Sequence, residues 1–310
     1  MISELFTPTK SEFDRLDQTS GVEFIAKLLW AESRRINISV INISISRNVN
    51  VPDGGIDVEV KDKSEPQGEL IRNKLSCFQI KTGKNFRPQE DHQIKKELFG
   101  SNKTLEKENL GEGVKRCLDQ NGAYILVCPK QLLNPEEIRK AEENNRKNFE
   151  LCGYHNVHII IIDQTKLIGV LKRYPSLILE LKGITNINFQ THSSWSNHVQ
   201  MRKEFILGKT HAIDIEKVRQ RLRDPIKSAH IRILGEPGIG KTKFALETTR
   251  SQDLSPLVIY FVSSKKFLNS GFLNYISLQD NDFTAILVID ECDLNDSLEI
   301  WNQSKSRTTD

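Results

Sequence analysis

Two short stretches carry residue types that do chemistry on phosphates. The first is Cys77-Phe78-Gln79-Ile80-Lys81-Thr82-Gly83. Read as a strand, it turns Gln79 and Lys81 to one face and Phe78 and Ile80 to the other. Upstream, Ile56-Asp57-Val58-Glu59-Val60 places Asp57 and Glu59 on one face, with the aliphatic residues opposite. If the two strands are neighbours, a carboxylate, an amide oxygen and an ammonium meet. That set suits metal-assisted hydrolysis of a phosphodiester. Asp57, the Gln79 side-chain oxygen and the Ile80 carbonyl are hard oxygen ligands for Mg²⁺. The ion would generate hydroxide and steady the leaving oxygen. Lys81 would position the nucleophile or offset charge at phosphorus. Glu23, on the first long helix, is a candidate second carboxylate.

The second stretch is Gly235-Glu236-Pro237-Gly238-Ile239-Gly240-Lys241-Thr242. It satisfies G-x-x-x-x-G-K-[ST] between an apolar run, HIRIL at 230–234, and a helical pattern. Glycines let the loop turn its N–H groups onto phosphate oxygens. Lys241 is placed for the β- and γ-phosphates of ATP, and Thr242 for Mg²⁺. Downstream, AILVIDECD at 285–293 delivers Asp290 to the end of an apolar strand, where it would complete the Mg²⁺ shell. Glu291 would polarise the attacking water.

These residues need elements to hold them. Helical spacing begins near Gly21, with Ser20 as the expected N-cap. Residues 37–46, 56–60 and 75–81 read as strands, and 93–118 as interrupted helix. AYILVCP at 123–129 and VHIIIID at 157–163 read as inner strands, with a helix from Pro135 between them, capped by Asn134. A polar stretch at 183–204 reads as a linker. Beyond it, strands are expected at 230–234, 256–262 and 285–290, alternating with helices in a parallel α/β sheet. The expected organisation is α/β throughout: a domain over 1–182, a linker over 183–204, and a P-loop domain over 205–310.

The 310 residues, 37% hydrophobic and 27% charged, suit a globular chain with two cores. A net charge of +3 neither demands nor excludes a nucleic-acid partner. The window from Lys81 to Lys96 is more basic, with Lys81, Lys84, Arg87, Lys95 and Lys96 against Glu90 and Asp91. It reads as a DNA-backbone contact or as a plain charged surface. Five cysteines without a C-x-x-C pair read as reduced thiols, and no zinc spacing is present. The start lacks a signal-peptide pattern and no apolar run approaches membrane-spanning length. The expected location is the cytoplasm, with no membrane partner.

Gly21-x-Glu23-Phe24, Gly55-Ile56-Asp57 and Phe78-Gln79-Ile80-Lys81 resemble the Mrr-like branch of the PD-(D/E)xK restriction-endonuclease superfamily, over about residues 12–180. The resemblance implies an αβββαβ restriction-endonuclease-like core and Mg²⁺-dependent cleavage of double-stranded DNA. It assigns metal binding to Asp57, the D/E-x-K position to Gln79, the catalytic lysine to Lys81 and an accessory acid to Glu23. Pro52-Asp53 reads as turn chemistry. Residues 205–310 resemble the STAND class of P-loop NTPases, relatives of AAA+ proteins, with FILGK at 205–209 similar to that class's adenine-contacting box. The resemblance reaches only one helix past Asp290, so the NTPase region is expected to be truncated after its Walker B strand. A nuclease joined to such a switch is similar to the Avs-type antiphage defence proteins. This implies ATP-dependent homo-oligomerisation on activation, triggered by a viral protein through a region outside this sequence. Two other readings fit the same residues: an inactive nuclease fold serving as a DNA-binding or protein-interaction module with a regulatory ATP site, and a modification-dependent restriction enzyme with an NTPase.

Overall fold

The computed structural model describes residues 2–46, 54–62, 68–100, 104–184, 188–198, 201, 208–224, 228–277 and 283–305. The chain divides into two compact units. The first is Thr9–Val170; the second joins Met1–Pro8 to Leu171–Asp310. This division falls ahead of the expected boundary at residue 182.

The elements leading into the first unit are α1 (Ile2–Leu5), which belongs to the second unit, then α2 (Lys10–Asp14) and α3 (Gln18–Arg35). Three strands follow, β1 (Ile43–Ile45), β2 (Val58–Lys61) and β3 (Leu75–Ile80), then α4 (Asp91–Phe99) and α5 (Glu112–Asp119). The unit closes with β4 (Ala123–Cys128), α6 (Pro135–Leu151), β5 (His158–Asp163) and α7 (Gln164–Leu171). The N-cap of helix α3 lies three residues before the expected Ser20. Asp17 is its N-cap, accepting from the Ser20 amide at 2.7 Å, while the Ser20 hydroxyl accepts from the Asp17 amide at 2.9 Å. A capping pair of this kind satisfies two amides that the first turn leaves unbonded. The Asn134 cap and Pro135 of α6 stand where the sequence reading placed them.

The sheet order is β1-β2-β3-β4-β5. Pairing is antiparallel across β1-β2-β3 and parallel across β3-β4-β5, so the sheet is mixed. The expected strand over 37–46 is shorter than predicted: Val40–Asn42 form a 3₁₀ turn before β1. Strands β3 and β4 are buried along their whole length. One sheet face carries Cys77, Tyr124, Leu126, Ile159 and Ile161, packed under Ile94, Leu98 and Phe99 of α4 and Phe149 of α6. Helix α3 lies close to β3. A Cβ on Gly21 would sit 2.5 Å from Cγ2 of Thr82, which explains a glycine in an otherwise bulky helix.

The second unit adds α8 (Pro175–Lys182), β6 (Phe189–Thr191), α9 (His192–Ser196) and α10 (Lys209–Arg223). After the P-loop come α11 (Lys241–Thr249), β7 (Val258–Phe261), α12 (Ser264–Asn269), α13 (Phe272–Ser277), β8 (Ile286–Ile289) and α14 (Leu294–Lys305). Its sheet order is β6-β7-β8, antiparallel then parallel rather than parallel throughout as expected. The core is aromatic: Phe6, Phe189, Phe261, Phe267, Phe272 and Tyr275 are all buried. Phe6 stacks on Tyr275 with centroids 4.3 Å apart, so the N-terminal turn is part of this core.

Two expectations are corrected here. The stretch 183–204 is not simply a linker, since it contains β6 and α9 and buries Phe189 and Trp195. Residues 230–234 do not form a strand; they lie outside helix and strand, with Leu234 73% exposed. Alternating apolar residues supply a strand face but not a ladder partner, and β8 pairs here with β7. FILGK and Pro52-Asp53 fall largely or wholly outside the described residues.

Candidate functional site

The end of β3 gathers most of the residues singled out in the first unit. Asp57 lies just ahead of β2, across from Gln79, and is only 6% exposed. Its Oδ2 accepts from the Ile80 amide at 2.6 Å, between Gln79 and Lys81. Gln79, 3% exposed, is held at both ends of its amide. Its Oε1 accepts from the hydroxyl of Tyr124 on β4, and its Nε2 donates to Oε1 of Glu97 at 3.0 Å. The same Glu97 oxygen pairs with Nζ of Lys81. The Ile80 carbonyl accepts from Nε2 of Gln18, in the first turn of α3, at 2.9 Å.

The arrangement is therefore a short chain: Tyr124, Gln79, Glu97, Lys81, with the Asp57 carboxylate against the intervening backbone. Its inner end is dry. Tyr124 is 1% exposed, and burial pushes its phenol well above the usual range, reinforced by the charges of Glu97 and Asp57 among others. Its outer end is open, with the Lys81 side chain 22% and that of Glu97 28% exposed. A buried anchor therefore carries an ammonium and a carboxylate that reach solvent.

Glu97 and Tyr124 were not found by sequence reasoning. Glu97 sits on α4 beside Ile94 and Leu98, the buried stripe of that helix. An acid flanking an apolar stripe and following the Q-x-K strand is a weak signal that only packing completes. Glu23 is placed differently from the others. It is exposed on α3 and lines a cleft of about 270 Å³ with Thr19, Ile45 and Ser46. The Ser46 amide donates to the Asp57 carbonyl at 2.8 Å, so the cleft opens beside the same strand end. Among the described residues, no hydrogen bond or ion pair joins Glu23 to Gln79, Lys81 or Glu97. Glu59 is bound up in structure, paired with Lys61 at 2.8 Å and Arg116 at 2.7 Å. Burial raises its carboxyl, but hydrogen bonds from Lys61 and Arg116 outweigh this and the net shift is downward.

The donors suit a hard divalent cation in kind: the carboxylates of Asp57 and Glu97, the Gln79 amide oxygen and the Ile80 carbonyl are all oxygens. Among the described residues, no group of three His, Cys, Asp or Glu is placed to hold a metal, so such a site depends on the Ile80 carbonyl beside the carboxylates.

The second unit brings its motif together. Gly235, Gly238 and Gly240 adopt φ of 157°, 84° and 93°, and the last caps α11. A side chain at Gly238 or Gly240 would be strained in that region. Glu236, Pro237 and Ile239 complete the loop; Ile239 is 61% exposed. Lys241 folds back, its Nζ donating to the carbonyls of Gly235 and Glu236, each at 2.8 Å. Thr242 Oγ1 donates to Asp290 Oδ2 at 2.6 Å, across 48 residues of sequence. Tyr260 donates to the same oxygen at 3.2 Å and stacks on Trp195 with centroids 4.3 Å apart. Burial, and then the Asp290 charge, push the Tyr260 phenol upward. Glu291 is exposed at φ 40°, and its amide donates to Asp290 Oδ1 at 3.0 Å. A hydroxyl and a carboxylate in contact at a helix N-terminus form a fitting pair of oxygen donors for Mg²⁺ beside phosphates.

No family model matches the chain, and comparison with curated proteins and with solved structures gave no match. Among the described residues, no helix is long and apolar enough to cross a membrane.

Proposed function

We propose that the chain joins a Mg²⁺-dependent DNA endonuclease of the PD-(D/E)xK, Mrr-like type to an ATP-binding switch of the STAND type, serving antiphage defence. The observation that carries the first half is the meeting of Asp57, Gln79 and Lys81 at one strand end, with Lys81 accessible. The order α3, β1-β2-β3, α4, α5, β4, α6, β5 is compatible with the restriction-endonuclease-like core expected from sequence, with α5 as an added helix. The second half is supported by the Thr242–Asp290 contact at the head of α11.

In this reading Asp57, Glu97 and the Ile80 carbonyl would hold the cation, which would supply an activated water and charge for the leaving oxygen. The Gln79 amide, its oxygen taken by Tyr124, positions the Glu97 carboxylate through its nitrogen. Glu97 provides the carboxylate that position 79 lacks. It also fixes the Lys81 ammonium, which faces the negative charge growing on phosphorus. Tyr124 keeps the Gln79 amide turned with its nitrogen toward Glu97. In the second unit, Lys241 would exchange two loop carbonyls for the phosphate oxygens of ATP, while Thr242 and Asp290 would hold its Mg²⁺ and Glu291 would orient water.

Plasmid cleavage in Mg²⁺ or Mn²⁺ tests the reading, comparing wild type with Lys81→Ala and Asp57→Ala. The expected result is cutting by wild type and at least a 100-fold loss in both variants, with duplex binding retained. A wild-type chain that binds duplex and does not cut, with and without ATP, overturns it. One observation favours that second reading, an inactive binding module: both ends of the Gln79 amide are already engaged by protein. Cutting restricted to methylated plasmid would instead mark a modification-dependent enzyme.

A further inference from the structure

The loops that follow β3 and β4 enclose a pocket of about 280 Å³ inside the first unit. Four cations line it: Lys10 from α2, Lys84 and Arg87 from the loop after β3, and Lys130 from the loop after β4. Among the described residues, neither Lys10 nor Lys130 has a carboxylate within 4.0 Å. Lys84 has only the distant Asp14, at 4.0 Å, and its side chain is 64% exposed. Glu137, the other acid of the lining, is committed elsewhere. It accepts from the Asn134 amide at 2.9 Å as part of the α6 cap and from Gln89 at 3.3 Å. The pocket thus holds a surplus of positive charge.

The cations sit on a fixed frame. Gln131, 6% exposed, donates to the carbonyls of Gly83 and Lys84 at 3.2 and 3.0 Å. Its Oε1 accepts from Arg87 Nη1 at 2.7 Å. Arg87 also donates to the Lys84 carbonyl at 2.8 Å. One buried amide therefore ties the two loops together and fixes the Arg87 guanidinium beside the pocket. Such order cuts the entropy lost when an anion binds.

Position gives the pocket its ligand. Lys84 is three residues past Lys81, so their Cα atoms are at most about 10 Å apart. Phosphates on one strand of a duplex rise by about 3.4 Å each. A strand with one phosphate at Lys81 therefore puts another, within about three steps, at this pocket. We propose that the pocket is a phosphodiester subsite that grips the backbone of the cleaved DNA strand beside the scissile group. This deepens the nuclease reading and rests on it.

The test is fluorescence anisotropy of the full chain with a labelled 20-base-pair duplex in EDTA, where no cleavage occurs. Wild type is compared with Lys84→Ala/Lys130→Ala over a range of salt concentrations. Both residues are at the surface, and matching circular dichroism confirms folding. Each lost phosphate contact should reduce the slope of log K against log salt by about 1. The expected change is a slope smaller by about 1–2, with affinity at low salt at least tenfold weaker. Equal slopes and affinities overturn the subsite. Titration with inorganic phosphate supplies the other check. Saturable phosphate binding that the double variant loses, with duplex affinity unchanged, would assign the pocket to a small anion and overturn the proposal. Cleavage is scored separately in Mg²⁺. Wild type that cuts while the variant binds duplex normally refutes the subsite and leaves the nuclease. The lost slope without any wild-type cutting does the reverse.

Discussion

Tyr124→Phe removes one oxygen from the centre of the first unit and nothing else. Tyr124 and Gln79 are 1% and 3% exposed, so water does not replace the lost donor. The Gln79 Oε1 that accepted from the hydroxyl is left buried without it. Stranding a buried acceptor costs about 1–3 kcal/mol. The ring keeps its volume and its edge-to-face contact with Phe149, at 5.3 Å, so no cavity adds to the cost. Amide hydrogen exchange of β3 and β4 reads this unit directly, because central strands open only when the unit unfolds. Protection there should fall about 5- to 150-fold, at 1.4 kcal/mol per tenfold. The same change in a Gln79→Leu background should be neutral or stabilising, because the hydroxyl has already lost its acceptor. A coupling of at least about 1 kcal/mol is therefore expected between the two sites. Equal losses in both backgrounds would show that the hydroxyl acts through something other than Gln79. The account of how that amide is oriented would then fail.

Four other outcomes follow from the contacts described. Glu97→Gln removes one of two carboxylates from the cation site while keeping an acceptor for Lys81. Plasmid cleavage at 1 mM Mg²⁺ should drop about 10- to 100-fold and recover in part at higher concentration. Thr242→Ala should weaken binding of Mg²⁺–ATP by about tenfold in calorimetry while leaving metal-free ATP unaffected, since the hydroxyl contacts Asp290 rather than the loop. Phe6→Ala opens a hole among Phe189, Phe272 and Tyr275, and urea unfolding should show the second unit destabilised by about 3–5 kcal/mol. Glu59→Gln tests an ion pair by pH. The Glu59 carboxyl titrates below its ordinary range in the fold, so its stabilisation is present at neutral pH. That stabilisation is lost as pH falls through the folded value. The stability gap between wild type and variant should therefore be open at pH 7 and close toward pH 3.

What could be read from sequence was what lies within one strand or one loop. The Q-x-K strand and the P-loop each place their residues by local periodicity, and the structure puts Gln79 and Lys81 on one Glu97 carboxylate and Thr242 on Asp290. AYILVC is inner, as its composition suggests, but HIIIID is not. Among the described residues β5 closes the sheet at its edge and pairs only with β4, and helical cover of its faces rather than a second neighbouring strand accounts for its apolar run. Glu97 was not legible, because nothing in α4 itself says which strand end the helix will cover. The region after residue 183 misled by composition. Its Asn, Ser and Thr content suggests a linker, yet Phe189 and Trp195 are spaced to anchor β6 and α9. HIRIL misled in the other direction, since strand propensity is expressed only where a neighbouring strand offers hydrogen bonds.

The aromatic packing of Phe6 has a consequence for the way the polypeptide can be taken apart. Because residues 1–8 fold with residues 171–310, the segment between them is threaded as an insertion, entered and left by separate crossings. A protease that nicks either crossing alone produces two pieces that still co-purify. A cut at the first crossing leaves residues 1–8 and 9–310, held by the packing of Phe6 on Phe272 and Tyr275. A cut at the second leaves residues 1–170 and 171–310, joined through the same contacts of Phe6 with Phe272 and Tyr275. Release of the Thr9–Val170 body as a free fragment needs both cuts.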